Sequence, residues 1–109
     1  MKYEVRITGV AQDDLYSIYR YVANNDSSAK ANHLFDNIEK AMSSLEAMPS
    51  RGNYPPELQR WGIFDFREIF FKPYRIIYEI RNKTVFIHAV LDGRRNCEDF
   101  LQQRLLGAL

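Results

Sequence analysis

A single cysteine, only two histidines and no long apolar run are the first facts of this 109-residue chain. The lone Cys97 excludes an internal disulfide and suits a reducing compartment, so a cytoplasmic location is expected. His33 and His88 lie on different predicted elements, without HxxxH spacing and with no second thiol to help, so no metal site is legible. No stretch of about 18 apolar residues occurs and the N-terminal segment has no apolar h-region, which leaves neither a membrane span nor an export signal visible. The five glycines form no phosphate-binding loop and no GxSxG elbow; no cofactor is expected. Formal net charge is +1, too little to hold nucleic acid by counterion release alone, so any such contact needs a local patch.

What is present fits one ordinary globular domain, residues 1–109, with a single core and no room for a second cofactor-binding unit. Seven Tyr and seven Phe are enough to place some rings on a partner-binding surface. Residues 2–7 alternate as a strand with Tyr3, Val5 and Ile7 on one side. Thr8 then caps a helix with Ala11, Leu15, Ile18 and Val22 on one face, and Asp13 and Asp14 early enough to suit its dipole. Asn24-Asn25-Asp26 stops it. Ser27 or Ser28 caps a second helix running towards Met48, with Ala31, Leu34, Phe35, Ile38, Met42 and Leu45 aligned, and Pro49 ends it. So short a connection predicts a helical hairpin covering one side of a sheet. Residues 49–62, rich in Pro and Gly, read as a surface loop.

Residues 63–96 are the most informative stretch. They read as three short strands closed by a Gly-Arg-Arg loop, with Asn82-Lys83 as a two-residue hairpin turn. Strict alternation then sets Tyr74, Ile76, Tyr78 and Ile80 on one apolar face with Val85, Ile87, Ala89 and Leu91. The opposite face carries Arg75, Ile77, Glu79 and Arg81 beside Thr84, Phe86, His88 and Val90, a mixed surface available for function. If Lys72-Pro73 is a two-residue turn, Arg67 shares the face of Tyr78 and Glu68 that of Ile77; one more loop residue reverses this. An inward Arg67 needs a carboxylate or carbonyl partner. Glu98 to Leu106 offers a short closing helix with Phe100, Leu101 and Leu105. The expected fold is therefore α+β, a small antiparallel sheet covered by an N-terminal α-helical hairpin, in the order β-α-α-β-β-β-(α).

The segments AQDDLYSIYRYVA, PSRGNYPPEL, FREIFFKPYRIIYEI, VFIHAVLDGRRN and QRLL, taken together, resemble the RelE/ParE superfamily of toxins from type II toxin-antitoxin modules, nearest to the ParE-type branch. The specific part is the Tyr-Arg-Ile-Ile-Tyr strand followed by Ala-Val-Leu-Asp-Gly-Arg-Arg. The resemblance implies a RelE/ParE-like fold, neutralisation by a cognate antitoxin in a hetero-oligomer, and one of two activities. RelE-like members cut messenger RNA on the ribosome; ParE-like members inhibit DNA gyrase. Carried across, the nuclease pattern puts Arg75 and Arg95 on its two arginines, with His88 as an acid or base on the mixed face. It then breaks: Phe66 and Glu68 stand where the nuclease has two lysines, and Leu101, next to Phe100, where it has a helix tyrosine. Glu68 inverts the charge that a phosphorane-like transition state needs, which favours the gyrase reading over the endoribonuclease. A non-toxic member that keeps only antitoxin binding is the third possibility. On any of them, Arg75, Ile77, Arg81, Phe86, Val90, Arg94 and Arg95 are the expected target- or antitoxin-binding residues.

Overall fold

The computed structural model describes residues 2–107. Strand β1 (Glu4–Ile7) leads directly into helix α1 (Gly9–Asn25), and α2 (Ser28–Ser43) follows after two residues. Both helix starts are capped by hydroxyls that satisfy an orphan amide: Thr8 accepts from the Ala11 N–H and Ser27 from the Lys30 N–H. Helix α1 has no acid in its first turn; Asp14 serves elsewhere, as described below. Helix α2 ends at Ser43, short of the expected Met48, and tightens into a 3-10 turn over Ser44–Glu46. Residues 49–62 are more ordered than a surface loop, forming a second 3-10 turn (Pro49–Arg51) and a short helix α3 (Pro56–Arg60) whose Leu58 is fully buried.

Strands β2 (Phe66–Phe71), β3 (Tyr74–Arg81) and β4 (Thr84–Asp92) form the expected antiparallel meander, and α4 (Cys97–Leu106) closes the order. The spatial order is β1-β4-β3-β2. Strand β1 lies parallel to β4, Val5 beside Val85 and Ile7 beside Ile87, which makes the sheet mixed. The helical hairpin lies between these two strands in the chain, and so long a connection is what a parallel pairing requires. Asn82 adopts φ 54° in the β3–β4 turn, a left-handed conformation that asparagine tolerates. Lys72-Pro73 is a two-residue turn, so Arg67 pairs with Tyr78 and Glu68 with Ile77.

One irregularity reorganises the sheet faces. The β3–β4 register slips between Ile77, opposite Ala89, and Tyr78, opposite Ile87. His88 is the extra residue of a β-bulge, and beyond it strict alternation no longer holds. Val90 therefore joins Ile76, Tyr78, Val85 and Ile87 under the hairpin, against Leu15, Ile38, Met42 and Leu45. Ala89 and Leu91, expected on that face, lie instead with Ile77 on the other, where Cys97 and Leu101 of α4 cover them. The second face is thus a smaller core in its upper half. Among the described residues no helix is long and apolar enough to cross a membrane.

Ile76 is fully buried beneath the hairpin. Ile76→Ala is expected to cost about 2–5 kcal/mol in a denaturant melt, as large-to-small core changes do, and Thr84→Ala, half-buried near the β3–β4 turn, far less. Equal costs would contradict this assignment of faces.

Candidate functional site

Arg75 is the centre of the second face, and it is not free. Only 8 % of it is exposed. Its Nε donates to Glu68 Oε1 at 2.6 Å, while Nη1 and Nη2 donate to Glu57 Oε2 and Oε1 at 2.7 and 2.8 Å. The Glu57 pairing is a bidentate fork, the strongest geometry open to a guanidinium and a carboxylate. Burial works against the charged form of Arg75, but the bonds to Glu57 and Glu68 outweigh it and raise its pKa. In return the Arg75 hydrogen bond holds the Glu57 carboxyl below its ordinary 4.5. Glu68 is 1 % exposed, and its backbone exchanges two hydrogen bonds with Asn53, at 3.1 and 2.7 Å. Strand β2 therefore carries part of the 49–62 segment along its outer edge.

Arg67 finds the carbonyl partners its inward position demands. It donates to Gly52 O at 2.9 Å and to the Tyr54 hydroxyl at 3.1 Å, and its guanidinium lies 4.5 Å from the Tyr54 ring centre. Tyr78 reaches out of the main core to the same segment: its hydroxyl donates to Pro49 O at 2.6 Å and accepts from the Gly52 N–H at 3.0 Å. Gly52 is required by this close approach, because a Cβ there would stand 2.5 Å from both Glu68 O and the Tyr78 hydroxyl.

The expected site residues separate into several places. Arg75 and Ile77, expected on an open surface, are buried, because α4 and the 49–62 segment cover the upper half of that face. Val90 is buried too, turned under the hairpin by the bulge. Phe86 and Arg81 remain at the surface in the lower half, with the Arg81 guanidinium 5.8 Å from the Phe86 ring centre. His88 lies with them: its Nε2 is 2.9 Å from Glu79 Oε1, an oxygen that also takes Arg81 Nε at 3.1 Å. Arg94 clasps Asp92 through Nε at 3.0 Å and Nη2 at 2.7 Å, and that contact lowers the Asp92 carboxyl to about 2. Arg95 lines a cleft beside α1 with Ser17 and Ile18. Among the described residues the three candidate catalytic residues, Arg75, His88 and Arg95, share no hydrogen-bond partner.

Two pairings were invisible in the sequence. Glu57 is the only acid between residues 49 and 62, and the demand of a strand arginine for a carboxylate was the one signal that could have drawn it in. Asp14 of α1 takes Arg104 of α4 in a fork of 2.7 and 2.9 Å and also accepts from the Val90 N–H at 3.0 Å, while Arg104 donates to His88 O at 3.0 Å. These side chains satisfy the edge of β4 beyond Ile87, where β1 has ended. Among the described residues no group of three or more His, Cys, Asp or Glu is placed to hold a metal ion.

A helical hairpin over a four-stranded mixed sheet, with a closing helix behind it, is the architecture of the RelE and ParE toxins. The fold is shared with the chromosomal ParDE system of P. aeruginosa (TM-score 0.68, 18 % identity, 82 % of this chain and 94 % of that one). It is shared also with a free-state arginine variant of E. coli toxin RelE (0.66, 15 %, the whole of both chains). The RelBE2 toxin-antitoxin complex of Mycobacterium tuberculosis aligns at 0.54 with 25 % identity over 83 % of this chain and 96 % of that one. Toxin ParE3 of Caulobacter vibrioides is 31 % identical over 83 residues, 76 % of this chain and 79 % of the relative. Residues 5–97 match the family described as ParE toxin of type II toxin-antitoxin system, parDE; the chain belongs to that family.

The ionic cluster has two measurable consequences. Arg75→Met strands the buried Glu68 carboxylate and the partly exposed one of Glu57, and is expected to cost about 3–5 kcal/mol. Arg75→Met with Glu57→Gln and Glu68→Gln should recover a substantial part of that in the same melt, and a triple variant no more stable than the single one would refute the assignment. The second consequence is a pH dependence. Because the folded-state pKa of Glu57 is lowered, its stabilisation is fully present above the unfolded value near 4.5 and is lost as pH falls through the lower folded value. Glu57→Gln should flatten that part of the acid limb in melts taken between neutrality and strongly acidic pH.

Proposed function

We propose that this chain is the toxin of a type II module that acts by protein contact, inhibiting DNA gyrase, and not as a ribosome-dependent endoribonuclease. The observation that carries the reading is the state of Arg75. A nuclease of the RelE kind needs that strand arginine free to meet phosphate, yet all three of its guanidinium nitrogens are held by Glu57 and Glu68. A phosphate would have to displace the buried Glu68 and the half-buried Glu57 and then sit beside them, a repulsion that the low local dielectric strengthens. His88 is committed to Glu79, and among the described residues Arg95 shares no hydrogen-bond partner with Arg75 or His88. The engagement of Arg75 and His88 with carboxylates favours this reading, since a phosphorane-like charge needs free cations and groups able to move two protons. The match to the ParE branch supports the same conclusion.

The antitoxin of this reading docks on the helical hairpin. A groove of about 520 Å³ runs between α1 and α2, floored by Ile7, Leu15, Phe35 and Met42 and edged by Tyr16 and Tyr19. Tyr16 is 63 % exposed, a large ring left in water beside an apolar trough, as in helix-in-groove recognition. Phe86 and Arg81, in the open lower half of the second face, are the remaining surface for a target.

Purified protein is expected to inhibit gyrase supercoiling while leaving messenger RNA intact on translating ribosomes. Codon-specific cleavage abolished by Arg75→Ala or Arg95→Ala would establish the nuclease instead. Inactivity in both assays, with antitoxin binding retained, would identify a non-toxic member of the family.

A further inference from the structure

Arg95 differs from the other arginines around it. Arg75, Arg94 and Arg104 are each clasped by a carboxylate, whereas the exposed Arg95 makes no side-chain hydrogen bond or ion pair among the described residues. Its neighbour Asp92 is already taken, since Oδ1 accepts from the Arg94 N–H and Nε and Oδ2 from Nη2. The uncommitted guanidinium stands over two adjoining hollows of about 410 and 530 Å³, between α1 and the turn that joins β4 to α4. Both are lined by Ser17, Ile18, Asp92 and Arg95. Phe100 and Val90 extend the apolar floor of one, and the Tyr21 and Tyr74 rings wall the other. The backbone of the turn is fixed by the Arg95 N–H to Asp92 O bond at 3.2 Å.

We infer that this cleft is a docking slot for one acidic residue within an otherwise apolar, extended peptide segment of a protein partner. The charge balance selects that chemistry. Asp14 is held by Arg104 and Asp92 by Arg94, so among the described residues Arg95 is the one guanidinium lining the cleft that no carboxylate holds, beside the apolar Ile18, Val90 and Phe100. A single carboxylate neutralises it through a charge-assisted pair, and flanking apolar residues bury against Ile18 and Phe100. A phosphodiester chain fits poorly, because it needs a row of cations and the cleft offers a single uncommitted one. The inference rests on reading the chain as a protein-binding toxin, and it places a second contact on the side of α1 away from the hairpin groove.

The test is a titration of isotopically labelled protein, followed by amide shifts, with three probes. These are the capped tripeptide Leu-Glu-Phe, its Leu-Gln-Phe counterpart and a uridine dinucleotide carrying a 5′-phosphate. The Glu peptide is expected to move the amides of Ser17, Ile18, Arg95 and Asn96, and the Gln peptide to bind roughly tenfold or more weakly, the loss of one charged hydrogen bond. Arg95→Gln should abolish the difference between the two peptides while leaving the rest of the spectrum in place. Equal binding of both peptides, or no shift in the cleft at millimolar peptide, overturns the proposal. Tighter binding of the dinucleotide at the same amides overturns it in favour of a nucleic-acid slot and counts against the protein-contact reading as well, whereas failure of the peptides alone leaves the gyrase assay as the judge of that reading.

Discussion

One buried guanidinium, gripped by two carboxylates from different parts of the chain, holds the second face of this protein together. Arg75 ties β3 to Glu68 on β2 and to Glu57 on α3, and so links the sheet to a segment that is otherwise short helix and turn. The side chain's stem also shapes the loop above it, since a Cβ on Gly93 would come within 3.1 and 3.2 Å of Arg75 Cγ and Cδ. A buried ion pair contributes little net stability compared with apolar packing, but it tolerates few alternative arrangements. The 49–62 segment is placed by that demand together with the bonds of Arg67 and Tyr78 to Gly52 and Pro49.

The same cluster decides what the domain can do chemically. Arg75 acts as a structural post, because both its Nη atoms and its Nε are held by carboxylates. Glu57 and Glu68 supply to Arg75 the charge and geometry that a phosphate would supply. The surfaces left over are suited to protein contacts: an apolar trough on the hairpin, an aromatic and arginine pair on the open half of the sheet, and a cleft with one uncommitted charge. Their distribution on different sides of α1 and the sheet allows more than one protein contact to be made at once.

The bulge at His88 and the Asp14–Arg104 fork belong to one structural solution. Strand β1 covers β4 only as far as Ile87, and past that point the sheet edge must find other partners for its backbone. Asp14 and Arg104 provide them from opposite layers, meeting at the Val90 amide and the His88 carbonyl. The result ties α1 to α4 across the sheet edge. It also leaves His88 beside Glu79 and Phe66 on the open half.

What the sequence determined by itself was local and periodic. Hydroxyl caps at Thr8 and Ser27, the helical spacing of Ala11, Leu15 and Ile18, the two-residue turn at Asn82-Lys83, and the alternation of β3 are each encoded within a few residues, so the main helices, the strands and their order were legible, whereas the length of the β2–β3 turn, and with it the faces of Arg67 and Glu68, and the short helix α3 were not. The pattern of β4 was legible only up to its bulge, because a period of two carries no mark of one inserted residue. Ala89, Val90 and Leu91 were therefore set on the wrong faces. The partners of Arg75 and Asp14 were decided by tertiary structure alone. The residues joined lie 18 and 90 positions apart, and whether a charge meets a carboxylate, a phosphate or water depends on which distant segment the fold brings over it.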